Sequence, residues 1–253
     1  KIYVAKVIIQ STELTNPVLE LDGYEGTEKS NRIETTTIDF NSGNRLLITA
    51  KSGNSVTKMA ISPESSMNLM LDFSICIDAD GNNYETVQIG NQLWMAQNLR
   101  TTSFSNGDAI AGIDEGKNWN NLTTPAYSIH DNNSQLLEKS GYLYNGFAAI
   151  DERNICPTGW RIPTDQDWNE LQDMLNTTNY SGIEANVLVA NENWKTSATD
   201  LFGFSATPAG LRYAHDGKIA HKNTHARWWT STPSGLNKAW NRYINFDKDY
   251  LGR

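Results

Sequence analysis

The residues able to do chemistry are few, and their spacing argues against catalysis. Two cysteines occur, Cys76 and Cys156, 80 positions apart. Two cannot define a disulfide framework; they either pair or stay buried and free. The four histidines, His130, His215, His221 and His225, accompany no Gly-x-Ser-x-Gly nucleophile elbow. His221 and His225 are four apart, but Asn223-Thr224 between them favours a solvated loop, and the Glu of His-Glu-x-x-His is missing. Asp78-x-Asp80-Gly81-Asn82 resembles the start of a calcium loop. Counting from Asp78, however, positions six and twelve are Asn83 and Ile89 rather than Gly and Glu, so a tight turn is the better reading. Nothing singles out a carboxylate pair for glycoside hydrolysis. We therefore expect no enzyme, no metal site and no cofactor, with calcium at an irregular loop left open.

Recognition is better served. Asn, Thr and Ser number 28, 23 and 19, so neutral polar side chains outnumber charged ones, and eight Trp accompany them. Amides and hydroxyls match sugar hydroxyls, and aromatic rings offer flat apolar faces; the same composition also makes the turns of a loop-rich extracellular fold. Three tryptophans stand among amides: Trp119 in Gly116–Asn121, Trp194 after Asn191-Glu192-Asn193, and Trp240 before Asn241-Arg242. The glycan site expected from these residues is Trp119, Trp240, Asn241 and Arg242, on two loops far apart in the chain. In contrast, Trp94, Trp160, Trp168 and Trp229 lie beside apolar residues and read as core.

The elements that must position these residues divide at a composition shift. Residues 1–77 hold four of the 25 aromatics, and all eight Trp fall between Trp94 and Trp240. The first part reads as short strands, Tyr3–Gln10, Pro17–Leu21, Arg32–Phe40, Arg45–Ala50, Ser55–Ile61 and Leu69–Ile77, with a hairpin signal at Asn41–Asn44. Evenly spaced strands suggest a small β-sandwich over 1–77. From residue 78 the pattern changes. Tyr84–Ile89 and Gln92–Met95 form a hairpin around Gly90-Asn91. Thr164 caps the clearest helix, with Asp167 three residues on, and Trp168, Leu171, Met174 and Leu175 follow on one face. Ile183–Ala190 reads as a weaker helix.

No run of about 18 apolar residues could span a membrane, and a net charge of −8 disfavours nucleic acid. The chain opens at Lys1 inside a strand pattern, without a charged and then apolar leader, and reads as starting at a maturation boundary.

Three stretches carry a family resemblance. Asp80–Arg100 resembles the opening of the Fibrobacter succinogenes major paralogous domain, found in Bacteroidetes and Fibrobacteres. Gly141–Asn145 through Ile155-Cys156-Pro157-Thr158-Gly159-Trp160-Arg161-Ile162-Pro163-Thr164 is the second match. Gly203–Gly210 with Trp228–Thr232 is the third. Gly-Trp-Arg-Ile-Pro-Thr is similar to a motif of formylglycine-generating enzymes, whose fold is related to C-type lectins; neither cysteine here lies in a matching catalytic context. The resemblance implies an α+β lectin-like domain over 78–253, preceded by the small all-β sandwich, fimbrillin-like or Ig-like, over 1–77. Members usually continue into a strand with a cysteine, a potential partner for Cys156. The family implies export, often as surface lipoproteins beside adhesive or polysaccharide-binding modules. The expected function is a non-catalytic cell-surface adhesin, a fimbrial tip or accessory subunit. Its partners would be a glycan or host or community surface ligand, and other fimbrial subunits through the N-terminal domain. The alternative is a surface glycan-binding lipoprotein of a polysaccharide utilisation system, anchored at the outer membrane or extracellular.

Overall fold

The computed structural model describes residues 4–11, 19–23, 35–40, 45–52, 54–65, 67–114, 118–129, 137–190, 194, 197–235 and 238–253. The chain divides into two compact units. One comprises Lys1–Cys76, Asn83–Ala96 and Leu201–Phe204; the other, Ile77–Asn82, Gln97–Asp200 and Ser205–Arg253.

The first unit holds strands β1 (Val4–Ser11), β2 (Leu19–Gly23), β3 (Thr35–Phe40), β4 (Leu46–Ser52), β5 (Ser55–Ile61), β6 (Met67–Asp72), β7 (Thr86–Ile89) and β8 (Gln92–Met95). They form a three-stranded sheet, β3-β1-β6, and a five-stranded one, β2-β4-β5-β7-β8. In β4, Leu46, Ile48 and Ala50 are buried while their neighbours are not, the period-two pattern of a strand with one face on a core. The expected hairpin across Asn41–Asn44 is corrected. The loop lies outside the described residues, but β3 pairs with β1 and β4 with β2 and β5. The turn signal is local, whereas pairing depends on which sheet each strand joins.

The hairpin read at 84–95 forms as β7 and β8, closed by a two-residue turn in which Gly90 has φ +58°. The sequence reading placed it at the head of the second domain. In the structure β7 runs parallel to β5, Thr86 Oγ1 lies 3.3 Å from Thr57 Oγ1, and the hairpin extends the sheet of the first unit. Phe204 stacks edge-on against Trp94 in the same unit.

The second unit is mixed α+β, built from small sheets and few helices. Its strands are β9 (Ala111–Gly112), β10 (Ala126–Ser128), β11 (Leu143–Tyr144), β12 (Leu211–Arg212), β13 (Ile219–Ala220), β14 (His225–Gly235) and β15 (Lys238–Asn245). Its helices are α1 (Leu137–Ser140), α2 (Gly146–Ala149), α3 (Asp165–Thr177) and α4 (Glu184–Leu188). The helix expected from Thr164 forms as α3, with a complete capping box: Thr164 Oγ1 accepts from the Asp167 amide, and the Asp167 carboxylate accepts from the Thr164 amide. Trp168, Leu171 and Leu175 are buried along its inner face, and Trp168 meets Trp228 of β14 at 5.4 Å. Helix α3 packs on α4 and on the β14–β15 hairpin, while α2 lies against β14 as well. A second core gathers Phe104, Ile110, Ala148, Ile155 and Cys156, with Trp160 half-buried at its edge.

Candidate functional site

Hairpin β14–β15 carries three of the four residues expected to bind glycan, and strand geometry separates them. Successive side chains point to opposite faces of a strand. Arg242 pairs with Trp228 and Ile244 with Ala226, which places them on the face toward α3. Asn241 pairs with Trp229, and Tyr243 with Arg227, on the other face.

The expectation that Arg242 contacts ligand is corrected. Arg242 is 2% exposed. Its Nε and Nη2 donate to Asp165 Oδ1 at 2.8 and 2.6 Å, and Nη2 donates to Asn169 Oδ1 at 2.6 Å. A guanidinium drawn out of water needs such partners, and α3 supplies them from its first turn. Trp119 is corrected likewise. It opens a short 3₁₀ turn, Trp119–Asn121, and is 6% exposed. The Arg212 guanidinium covers its ring at 4.3 Å, itself held by the carbonyls of Ile113, Asp114 and Gly217. The ring anchors its own loop, because a polar stretch offers a large apolar side chain nowhere better to lose its water. Trp194 is buried too.

Trp240 is 38% exposed, near a register shift of the hairpin. Arg253 stacks over its ring at 4.0 Å and reaches Asp165 Oδ2 at 3.2 Å. Trp240 and Arg242 thus adjoin one network at the start of α3, and Asn241 faces away from it.

The outward part of the other face is the better candidate: α2 covers that face at Trp229, and it opens toward Arg227. Exposed Arg227 donates from Nη1 to Asn241 Oδ1 at 3.1 Å and lies 4.9 Å from the centroid of the Tyr243 ring. Tyr243 hydrogen-bonds with exposed Tyr250. Burial first, and that bond second, push the Tyr243 phenol above its ordinary range. The backbone of Gly252 bridges to Tyr243, and its α-carbon lies so close to the Tyr243 ring that any β-carbon there would collide with it.

This face continues through His225, which pairs with Asn245 and stacks on His221 at 4.1 Å. The Tyr213 hydroxyl lies 2.8 Å from His221 Nε2, and its ring packs 5.0 Å from His215. Burial, then His221 and Arg227, hold His225 below the usual imidazole range, so it is neutral at pH 7. The sequence pattern predicts only a solvated loop around His221 and His225. The signal it lacked was the pairing of β14 with β15, which aligns Arg227 with Tyr243.

The other chemical candidates are occupied. Asp78 Oδ1 accepts from the amides of Asp80 and Asn82, and Oδ2 from Asn82 Nδ2 at 2.9 Å; Asp80 Oδ2 accepts from Thr102 Oγ1 at 2.8 Å. These carboxylates shape a turn. Among the described residues no three His, Cys, Asp or Glu gather as a metal set. Both cysteines are buried, and burial pushes the Cys156 thiol up to about 12.

Residues 87–252 match the family described as the Fibrobacter succinogenes major domain. No curated protein and no solved structure matches the chain.

Proposed function

We propose that this chain, which belongs to the Fibrobacter succinogenes major domain family, is a non-catalytic cell-surface adhesin that binds glycan through the outward face of β14–β15. The observation that carries the reading is the Arg227–Asn241–Tyr243–Tyr250 surface. Arg227, Asn241 and Tyr243 share one paired strand face, and Tyr250 from the following segment adjoins Tyr243, so aromatic rings, an amide and a guanidinium lie together. Rings supply apolar contact to a sugar face and the polar groups fix its orientation, the division of labour of small-molecule sites. A non-catalytic role is supported by the chemistry of Cys156, whose protonated thiol at neutral pH is a poor nucleophile.

In this reading the family domain is a lectin-like module, and the strands of the first unit are a sandwich that connects it to other fimbrial subunits at a tip or accessory position. A glycan array probed with the purified chain tests the binding. Bound saccharides should be lost with Tyr250→Ala while thermal stability is nearly unchanged; an array without signal overturns the reading. Immunogold labelling of intact cells tests the location, and label confined to the cell interior would remove the adhesin role.

A further inference from the structure

We propose that the outward face of β14–β15 selects a carboxylate-bearing saccharide, with Arg227 as the anion clamp and Tyr250 beside Tyr243 as the stacking surface; this rests on the glycan-binding reading above. Four observations lead there.

Arg227 is an exposed guanidinium with no carboxylate in salt-bridge distance among the described residues. Four other arginines are matched to acids, Arg153 to Asp151 and Asp108, Arg161 to Asp167, and Arg242 and Arg253 to Asp165, while Arg212 is held by backbone carbonyls.

Arg227 is also oriented. One Nη1 donor is spent on Asn241 Oδ1, and the plane is held near the Tyr243 ring. A guanidinium presents five donors in a flat fork, so the remaining edge can take a planar carboxylate on two parallel bonds.

Two acids of this region have cationic neighbours: Asp247, whose field reaches His225, lies 3.7 Å from Lys248, and Asp216 lies 3.7 Å from Lys218. Lys248 adds a positive field at Tyr243 together with Arg227. The overall negative charge acts weakly here, since fields fade within about 8 Å at physiological salt.

Finally, aromatic surface adjoins the cation. Tyr250 is exposed and bonded to Tyr243, so a pyranose ring held by its carboxylate at Arg227 has an apolar face to lie on.

The test is a calorimetric titration with oligogalacturonate and alginate oligosaccharide, their methyl esters, and a sulfated dextran oligosaccharide. The wild-type chain should bind an acid form about tenfold or more tighter than its ester, since a hydrogen bond to a charged group exceeds one to a neutral group by roughly that factor. Arg227→Gln should lose that difference, so that acid and ester bind alike, and in the wild-type chain added salt should weaken acid binding alone. Equal affinity for acid and ester, or an unaffected Arg227→Gln variant, overturns the proposal. Equal binding of the sulfated oligosaccharide also overturns it, in favour of an unselective anion site. If neutral saccharides bind and only Tyr250→Ala abolishes them, the anion clamp fails while the glycan reading stands. If no saccharide binds, both fall.

Discussion

Arg242 and Asp165, 77 positions apart, form a buried ion pair at 2.6 Å that ties the last long strand, β15, to the first turn of α3. The carboxylate sits where the helix dipole favours negative charge. Asn169 and Arg253 complete its surroundings. Removing one partner leaves a charge away from water, which costs about 3 to 5 kcal/mol. Arg242→Ala should therefore lower the denaturation midpoint by that equivalent, and the double variant with Asp165→Ala should lose less than the sum of the singles. A stable Arg242→Ala protein with altered ligand binding would return Arg242 to the site.

Trp119 behaves as a loop anchor. Trp119→Ala empties a buried ring site beneath Arg212 and should cost about 3 to 5 kcal/mol, a large part of a typical 5 to 15 kcal/mol total. Thermal unfolding followed by circular dichroism reads this. An unchanged melting temperature with lost saccharide binding would restore its role as a stacking platform.

The Asp167 carboxyl is pulled down to about 2, first by Arg161 and then by hydrogen bonds from Thr164. A carboxylate held below its unfolded value stabilises the fold above that value, 3.8, and the contribution is lost as pH falls toward 2. Asp167→Asn should cost about 1 kcal/mol at pH 7, the scale of a lost helix cap. The gap between variant and wild type should narrow between pH 4 and 2. Urea titrations across that window check it, and a pH-independent gap would contradict the assignment.

Cys156 should resist alkylation. With its thiol pushed to about 12 by burial, almost none is thiolate at pH 8, and thiolate is the nucleophile. Iodoacetamide followed by mass spectrometry should label Cys76 and Cys156 only after denaturant is added, since both are buried. Rapid labelling of the native chain at Cys156 would contradict the burial.

Local chemistry was legible in the residues. The Thr164–Asp167 capping box, the apolar face of Trp168, Leu171 and Leu175, and the Gly90-Asn91 hairpin follow from interactions within a few positions. So does the family match, because its motifs are contiguous. The glycan site was legible only in part. Asn241 lies on the candidate face, but Arg227, Tyr243 and Tyr250 reach it through strand pairing and a returning C-terminal segment.

By itself, then, the sequence determined α3 with its cap, the 84–95 hairpin and the family, all written in short-range patterns of size, polarity and backbone preference. Tertiary structure alone decided which aromatic and charged groups meet water. Trp119 and Trp240 stand in equally polar surroundings along the chain, yet Arg212, reached through β12, contributes to covering the first, while the second stays partly open beside Arg253. Burial is a property of what folds onto a residue, and for both rings the covering group lies outside the neighbouring sequence.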